Sequence, residues 1–359
     1  MSEAAGTGDA KGSLADGRYF SWETALMRAS PLGVWPTAAM IVLSVFATFL
    51  FCAWWNDLSL IIDAGDDVTL TGDAWTALCL SLLWGAVFGV AEYSRVANLY
   101  DLQGLKVSGL GVEDSHIESL AVGPTRATRN KALRYGLFGL LAGTVFYNLV
   151  YQPNGHPVNP LNATLTNYWF IVMTLALFMQ IFRSFSYTRG DTISLLRNLD
   201  HRLEIDFFDI GKLDGLGRIA LRRSLPWLVS SAIVLLLAFG QDASGLFWLL
   251  IVVLMMAATF VFAAPMWRVH VLIDKAKNTE LQKLRRDIAA RRLEFEVSDS
   301  ADIAARLSAL LALEHHLERV REWPLDLSTI VRFCLYLALP LGSWLGGALV
   351  ERALNLVTG

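Results

Sequence analysis

Apolar residues along this chain gather into blocks of membrane-spanning length, separated by polar stretches of two alternating kinds. Seven blocks stand out, at residues 35–54, 74–93, 135–151, 168–185, 225–239, 246–267 and 330–350. About 20 apolar residues at helical rise cross the hydrocarbon core of a bilayer, with every backbone group satisfied inside the helix. The pattern therefore predicts an all-α fold, a polytopic transmembrane helical bundle of about seven spans. The first block is bracketed by Trp35 and Trp54, residues suited to the two membrane interfaces. Ahead of it, residues 19–27 have the pattern of a short interfacial helix, with Phe20, Trp22 and Leu26 on its lipid side.

Between the sixth and seventh blocks lies the longest stretch unsuited to a membrane, residues 269–323. Ile273, Leu281, Leu284, Ile288 and Phe295 recur there at nearly whole helical turns. Ile303, Leu307, Leu310, Leu317 and Val320 do the same, with Leu311 and Leu313 widening the stripe. Val297-Ser298-Asp299-Ser300 breaks the pattern, and residues 298–302 supply turn and N-cap chemistry. Two amphipathic helices folded into a hairpin are expected. The ordinary reading is that its arms bury their stripes on each other. The sharper one assigns association between subunits to Leu307, Leu310, Leu311, Leu313 and Leu317, giving a homo-oligomer or a docking surface for a cytoplasmic protein partner.

Charge orients the chain. Lys and Arg concentrate before the first block, in residues 94–131 and 186–224, and in the hairpin, while the alternate loops hold none. The positive-inside rule places the N-terminus, both basic loops and the hairpin in the cytoplasm of a cell with this protein in its inner, or cell, membrane. Four units follow: a cytoplasmic tail (1–32), a six-span membrane domain (33–267), the hairpin (268–326), and a seventh span with a short C-terminus (327–359). Composition agrees, since 54% of the 359 residues are hydrophobic and 18% charged, with mean hydropathy +0.45. The partner this implies is the lipid bilayer, and nothing points to nucleic acid.

Candidate chemistry is sparse. Pro340, Gly342, Ser343, Gly346 and Gly347 could kink the last span or let it line a path or gate, although such residues are common in membrane helices. Asp63, Asp66, Asp67 and Asp73 form an acidic outer loop that could attract cations. GxxxG spacing at Gly85/Gly89, Gly139/Gly143 and Gly342/Gly346 permits close helix packing. Glu314, His315, His316 and Glu318 lack the convergence a metal needs and read as helix surface. Cys52, Cys79 and Cys334 fall in apolar blocks and read as buried packing residues. No metal, cofactor or catalytic set is expected. Leu99-Tyr100-Asp101-Leu102 with Gly109-Leu110-Gly111 faintly echoes Phe207-Phe208-Asp209-Ile210 with Gly215-Leu216-Gly217.

Within these blocks the middles are free of Asp, Glu, Lys and Arg. Glu92, Arg134, Arg183 and Arg332 sit near the basic ends, where snorkelling suffices. Coupled transporters and pumps usually carry intramembrane ionisable groups, so the expectation is an oligomeric channel or passive transport protein with the hairpin as assembly or gating element. The alternative is a non-transporting scaffold or signalling protein that uses the hairpin to hold a cytoplasmic partner. Movement of the hairpin would reach the last span through the joint at Trp323-Pro324 and Asp326-Leu327-Ser328.

Overall fold

The computed structural model describes residues 22–63, 68–107, 126–150, 163–202, 207, 210–237, 245–297, 301–323, 327–338, 342 and 346. Nine α-helices run through them: α1 Trp22–Ala29, α2 Val34–Trp55, α3 Gly72–Val107, α4 Arg126–Val150, α5 Leu165–Arg202, α6 Asp214–Leu236, α7 Gly245–Val297, α8 Ala301–Arg319 and α9 Leu327–Ala338. Five of them hold segments long and apolar enough to cross a membrane: α2, α3, α5, α6 and α7. The expected spans at 135–151 and 330–350 are not among these five. The first belongs to α4, whose leading turns are polar, and the described helix of the second has only 12 residues.

Two poles organise the bundle. At one, α2 ends in Asn56 and in Asp57, a left-handed residue at φ 50°, and the chain makes a small antiparallel hairpin. Its strands are β1 (Ile61–Asp63) and β2 (Val68–Leu70), with Ile61 opposite Leu70. Thr71 then caps α3, its hydroxyl accepting the Ala74 amide at 3.3 Å. The opposite pole is basic, and three helices run far into it. At 1.5 Å per residue, α3, α5 and α7 reach about 54, 57 and 80 Å, against a hydrocarbon core of about 30 Å. Much of the polar sequence expected between spans is therefore continuous helix.

The packing follows from glycine and aromatic side chains. On α4, a Cβ at Gly139 would lie 2.5 Å from the Phe178 carbonyl oxygen, and one at Gly143 would lie 3.0 Å from the Phe178 Cβ. On α3, Gly85 meets Val42 and the Ala38 carbonyl, and Gly89 meets Ala38. Two of the three GxxxG pairs thus serve helix–helix contact, as small residues do where lipid gives no hydrophobic drive. One core joins α2, α3, α5, α6 and α7 around Phe49, Trp169, Phe170 and Leu177. Polar links tie the same pole: Asn56 donates to Thr166 at 2.7 Å, and the Trp75 indole to the Leu236 carbonyl at 2.7 Å.

A second core sits towards the basic pole. Leu102 of α3, Leu213, Leu216 and Ile219 around the start of α6, and Met266, Val269 and Ile273 of α7 form it, with Phe333 and Tyr336 of α9 against it. Leu102 and Leu216, from the two halves of the faint echo, meet here. The echo's Gly109–Gly111 and Phe208–Asp209 lie outside the described residues. Of the interfacial helix, α1 carries Leu26 exposed and Met27 buried with Ala38 and Phe88, while Phe20 lies outside the described residues. Cys52 and Cys79 are buried but Cys334 is exposed, which corrects the reading of all three as buried. It sits on α9, most of whose described residues are exposed.

Candidate functional site at the base of the charged helix pair

No boundary separates the sixth apolar block from the first charged arm. α7 is one 53-residue helix from Gly245 to Val297, with Pro265 inside it. Its exposed and buried faces persist through the change from apolar to charged sequence, so the arm continues the apolar segment as one helix. α8 lies antiparallel along its far half. Leu281, Leu284 and Leu317 are buried between them, with Phe207, Ile288, Leu310 and Leu313 partly buried alongside. Arg285 clamps the two helices from outside, donating from Nε to Glu314 at 2.7 Å and from Nη2 to Glu318 at 2.8 Å. Glu314 and Glu318, four residues apart on one face of α8, receive one guanidinium.

The joint below this pair is built on Lys277. Its side chain is buried on the face of α7 that also carries Ile273, Leu281 and Leu284. A lysine there needs three acceptors, and it has them: the Glu318 carbonyl at 3.0 Å, the Val320 carbonyl at 3.2 Å and the Glu322 carboxylate at 2.9 Å. The two carbonyls belong to the end of α8, where helical partners run out and the dipole is negative, so a cation suits them. The hydrogen bond and the charge of Lys277, with a smaller pull from His270, hold the Glu322 carboxyl below its ordinary range.

About two turns lower on α7, His270 stacks face to face on Trp323, with centroids 4.3 Å apart and planes 5° apart. Its Nδ1 lies 3.1 Å from the Glu322 carbonyl, the distance of a hydrogen bond when that nitrogen carries the proton. Trp267 meets Trp323 edge-on at 6.0 Å. Two turns down again, Phe262 stacks on Phe333 of α9 at 4.0 Å and 10°. Pro265 lies between these contacts and, having no N–H, leaves the carbonyl one turn back without its helical donor. Trp323 and Phe333 of α9 are therefore packed on α7 on either side of a weakened point of that helix.

A second polar cluster fastens α3 to α6. Asp101 pairs with Arg222, and more loosely with Arg218 at 3.5 Å. Arg222 also donates to the Ala97 carbonyl at 2.8 Å, while the Ser94 hydroxyl reaches the Arg222 carbonyl at 3.1 Å. α6 begins at Asp214, earlier than the expected 225, and so carries Arg222 and Arg223 within its apolar stretch. Glu92 is likewise buried, paired with Arg95 at 2.8 Å, and does not snorkel. These charges cluster towards the basic pole, the end at which Glu92 was expected.

The remaining expected sites are placed as follows. Gly342 and Gly346 are helical, and a Cβ on either would meet no atom of the described residues within 4 Å. Pro340, Ser343 and Gly347 lie outside the described residues, as do Asp66 and Asp67. Asp63 pairs its backbone with Val68 in the small hairpin, and Asp73 lies in the first turn of α3, where a carboxylate complements the dipole. Of the association residues, Leu317 is buried, Leu307, Leu310 and Leu313 are half-buried, and Leu311 is exposed. Among the described residues, no three His, Cys, Asp or Glu side chains group as metal ligands.

Sequence reasoning missed Lys277, His270 and Glu322. The signal was present in the apolar stripe of the first arm, which skips one turn between Ile273 and Leu281 where Lys277 falls. Comparison with protein-family models, curated proteins and solved structures gives no match to this chain. Its own geometry is that of a multi-pass helical membrane protein.

Proposed function

We propose that this chain forms an oligomeric channel or passive transport path whose projecting helix pair, on the cytoplasmic side, assembles or gates it. The observation that carries this reading is the single helix α7, which joins the apolar bundle to the charged pair without a break and is pinned through His270 and Lys277 to the connector leading into α9. A force on the pair has a stiff route to the last apolar segment. The charges at the basic ends of α3 and α6 support a passive path, since Arg222 is engaged with Asp101 and Glu92 with Arg95. The first pair fastens α6 to α3, the second lies within α3, and neither needs a proton cycle. In this reading α4 and residues 330–350 complete seven spans, and Gly342 and Gly346 face the path or a neighbouring subunit.

Ion and small-solute flux through liposomes holding the purified protein tests the proposal, with Gly346→Leu alongside. Flux abolished by the substitution, with assembly intact, supports a path beside the last segment. Flux unchanged by it removes that segment from the path, and absence of flux under varied pH, calcium and voltage overturns the transport reading.

A second reading rests on Leu311, which is 48% exposed on α8 while Leu307, Leu310 and Leu313 are only half covered. A scaffold that holds a cytoplasmic partner through this face uses the same joint without conducting.

A further inference from the structure

Two helices far apart in the chain carry exposed tryptophans at the same spacing. On α2 these are Trp35, 56% exposed, and Trp54, 71% exposed; on α7 they are Trp248, 46%, and Trp267, 60%. Each pair is nineteen residues apart, about 28 Å at helical rise, close to the hydrocarbon thickness of about 30 Å. The pairs also agree in direction. Trp54 and Trp248 lie towards the strand-bearing pole, and Trp35 and Trp267 towards the basic one. Other exposed rings join each tier: Tyr168 starts α5 at the first, while Tyr93 packs on Trp35 and Trp323 on Trp267 at the second.

The accessible face of α7 changes character at the same level. Leu249, Val253, Met256 and Phe260 are all more than half exposed, as apolar residues facing lipid are. Val271 is the last exposed apolar residue before the change. The next exposed positions are Lys275, Asn278, Thr279, Gln282 and Lys283. On the returning segment the order reverses, because Trp323 precedes Leu327, Val331 and Leu335, all exposed on α9. Indole rings favour the boundary where one edge is dry and the N–H is wet.

We infer that the hydrocarbon core lies between the two tryptophan tiers, and that the joint of Trp267, His270 and Trp323 docks in the lipid headgroup layer at the basic pole. The occupant of the exposed aromatic face of the joint is lipid. The 26 residues of α7 beyond Val271, about 39 Å of helix, stand in water with α8 on them. Lipid at that leaflet then touches the point where the projecting pair meets α9. The inference rests on the bilayer reading and not on transport.

Site-directed nitroxide labelling in liposomes tests it. Cys334→Ser removes the exposed thiol, the buried Cys52 and Cys79 remain, and single cysteines replace Leu249, Val253, Met256, Phe260, Trp267, Val271 and Lys275. Met40 and Leu43 report independently from α2. Collision with oxygen should exceed collision with a water-soluble nickel chelate at Val253, Met256, Phe260, Met40 and Leu43, and the ratio should invert between Trp267 and Lys275. Oxygen dominance continuing past Lys275, or nickel dominance already at Phe260, overturns the placement. A label at Trp267 shielded from both reagents overturns lipid as occupant and points to protein. If no position favours oxygen, the bilayer reading itself fails. These outcomes are separable, and none depends on flux.

Discussion

Lys277 and Glu322 meet at 2.9 Å across forty-five residues of sequence, and the same ammonium closes the last carbonyls of α8. One buried side chain thus ends a helix, holds it to its neighbour and anchors the connector to α9. The projecting pair owes its fixed direction to this contact as much as to its leucines.

Lys277→Met keeps the apolar stem and removes the charge. Two carbonyls and a carboxylate lose their donor, and the pair should lose about 1–3 kcal/mol of local stability. Hydrogen exchange of residues 301–319 should accelerate accordingly, with the apolar helices unaffected. Unchanged exchange in that segment would show that the leucine seam alone sets the pair.

The pH dependence of the joint follows from Glu322. Its carboxyl is held below the ordinary range, chiefly by the hydrogen bond from Lys277. A carboxyl depressed in the folded state adds stability in full above its unfolded value, about 4.3, and loses it as pH falls through the lower folded value. Exchange in α8, corrected for its intrinsic rate, should therefore be flat from neutral pH to about 5 and rise below about 4. Glu322→Gln should abolish that acid-side rise. A rise of equal size in the variant would assign it to another group.

Glycine substitutions separate filled faces from open ones. A Cβ at Gly139 lies 2.5 Å from the Phe178 carbonyl and 2.8 Å from the Met179 Cα, backbone atoms that cannot swing away. Gly139→Val should cost about 1–3 kcal/mol or more through overpacking. A Cβ at Gly342 meets no atom of the described residues within 4 Å, and Gly342→Ala should leave the melting temperature in detergent unchanged. A large loss from Gly342→Ala would show that another chain, or a segment outside the described residues, covers that face.

Leu317 and Leu311 distinguish packing within the pair from docking onto it. Leu317 is 5% exposed, and Leu317→Ala should cost about 2–5 kcal/mol. Leu311 is 48% exposed, so Leu311→Asp should change stability by no more than about 0.5 kcal/mol. If α8 docks on another chain, Leu311→Asp should nevertheless abolish that association in cross-linking or light scattering. Intact association in the variant would exclude this face.

The apolar blocks, the tryptophan brackets of α2 and the stripes of α7 and α8 could all be read from sequence. Each depends on a local period: a helix must turn its apolar positions to one side, and a span must be long enough for its membrane. The extent of helix was harder to read. Polar residues in the later turns of α3 and α5 are helical because charged positions at helical spacing suit a solvated helix as well as a loop, and hydropathy cannot separate the two.

The sequence by itself determined that this is a helical membrane protein with a charged, amphipathic pair set between apolar segments. Only the tertiary structure decided which charges fasten it. Arg222 finds Asp101, and Lys277 finds the end of α8, across separations at which chain order says nothing about distance. It also decided that Gly139 lies against a neighbouring helix while no described residue approaches Gly342, although the two share one motif. A motif records that close approach is allowed, and packing alone determines whether anything approaches.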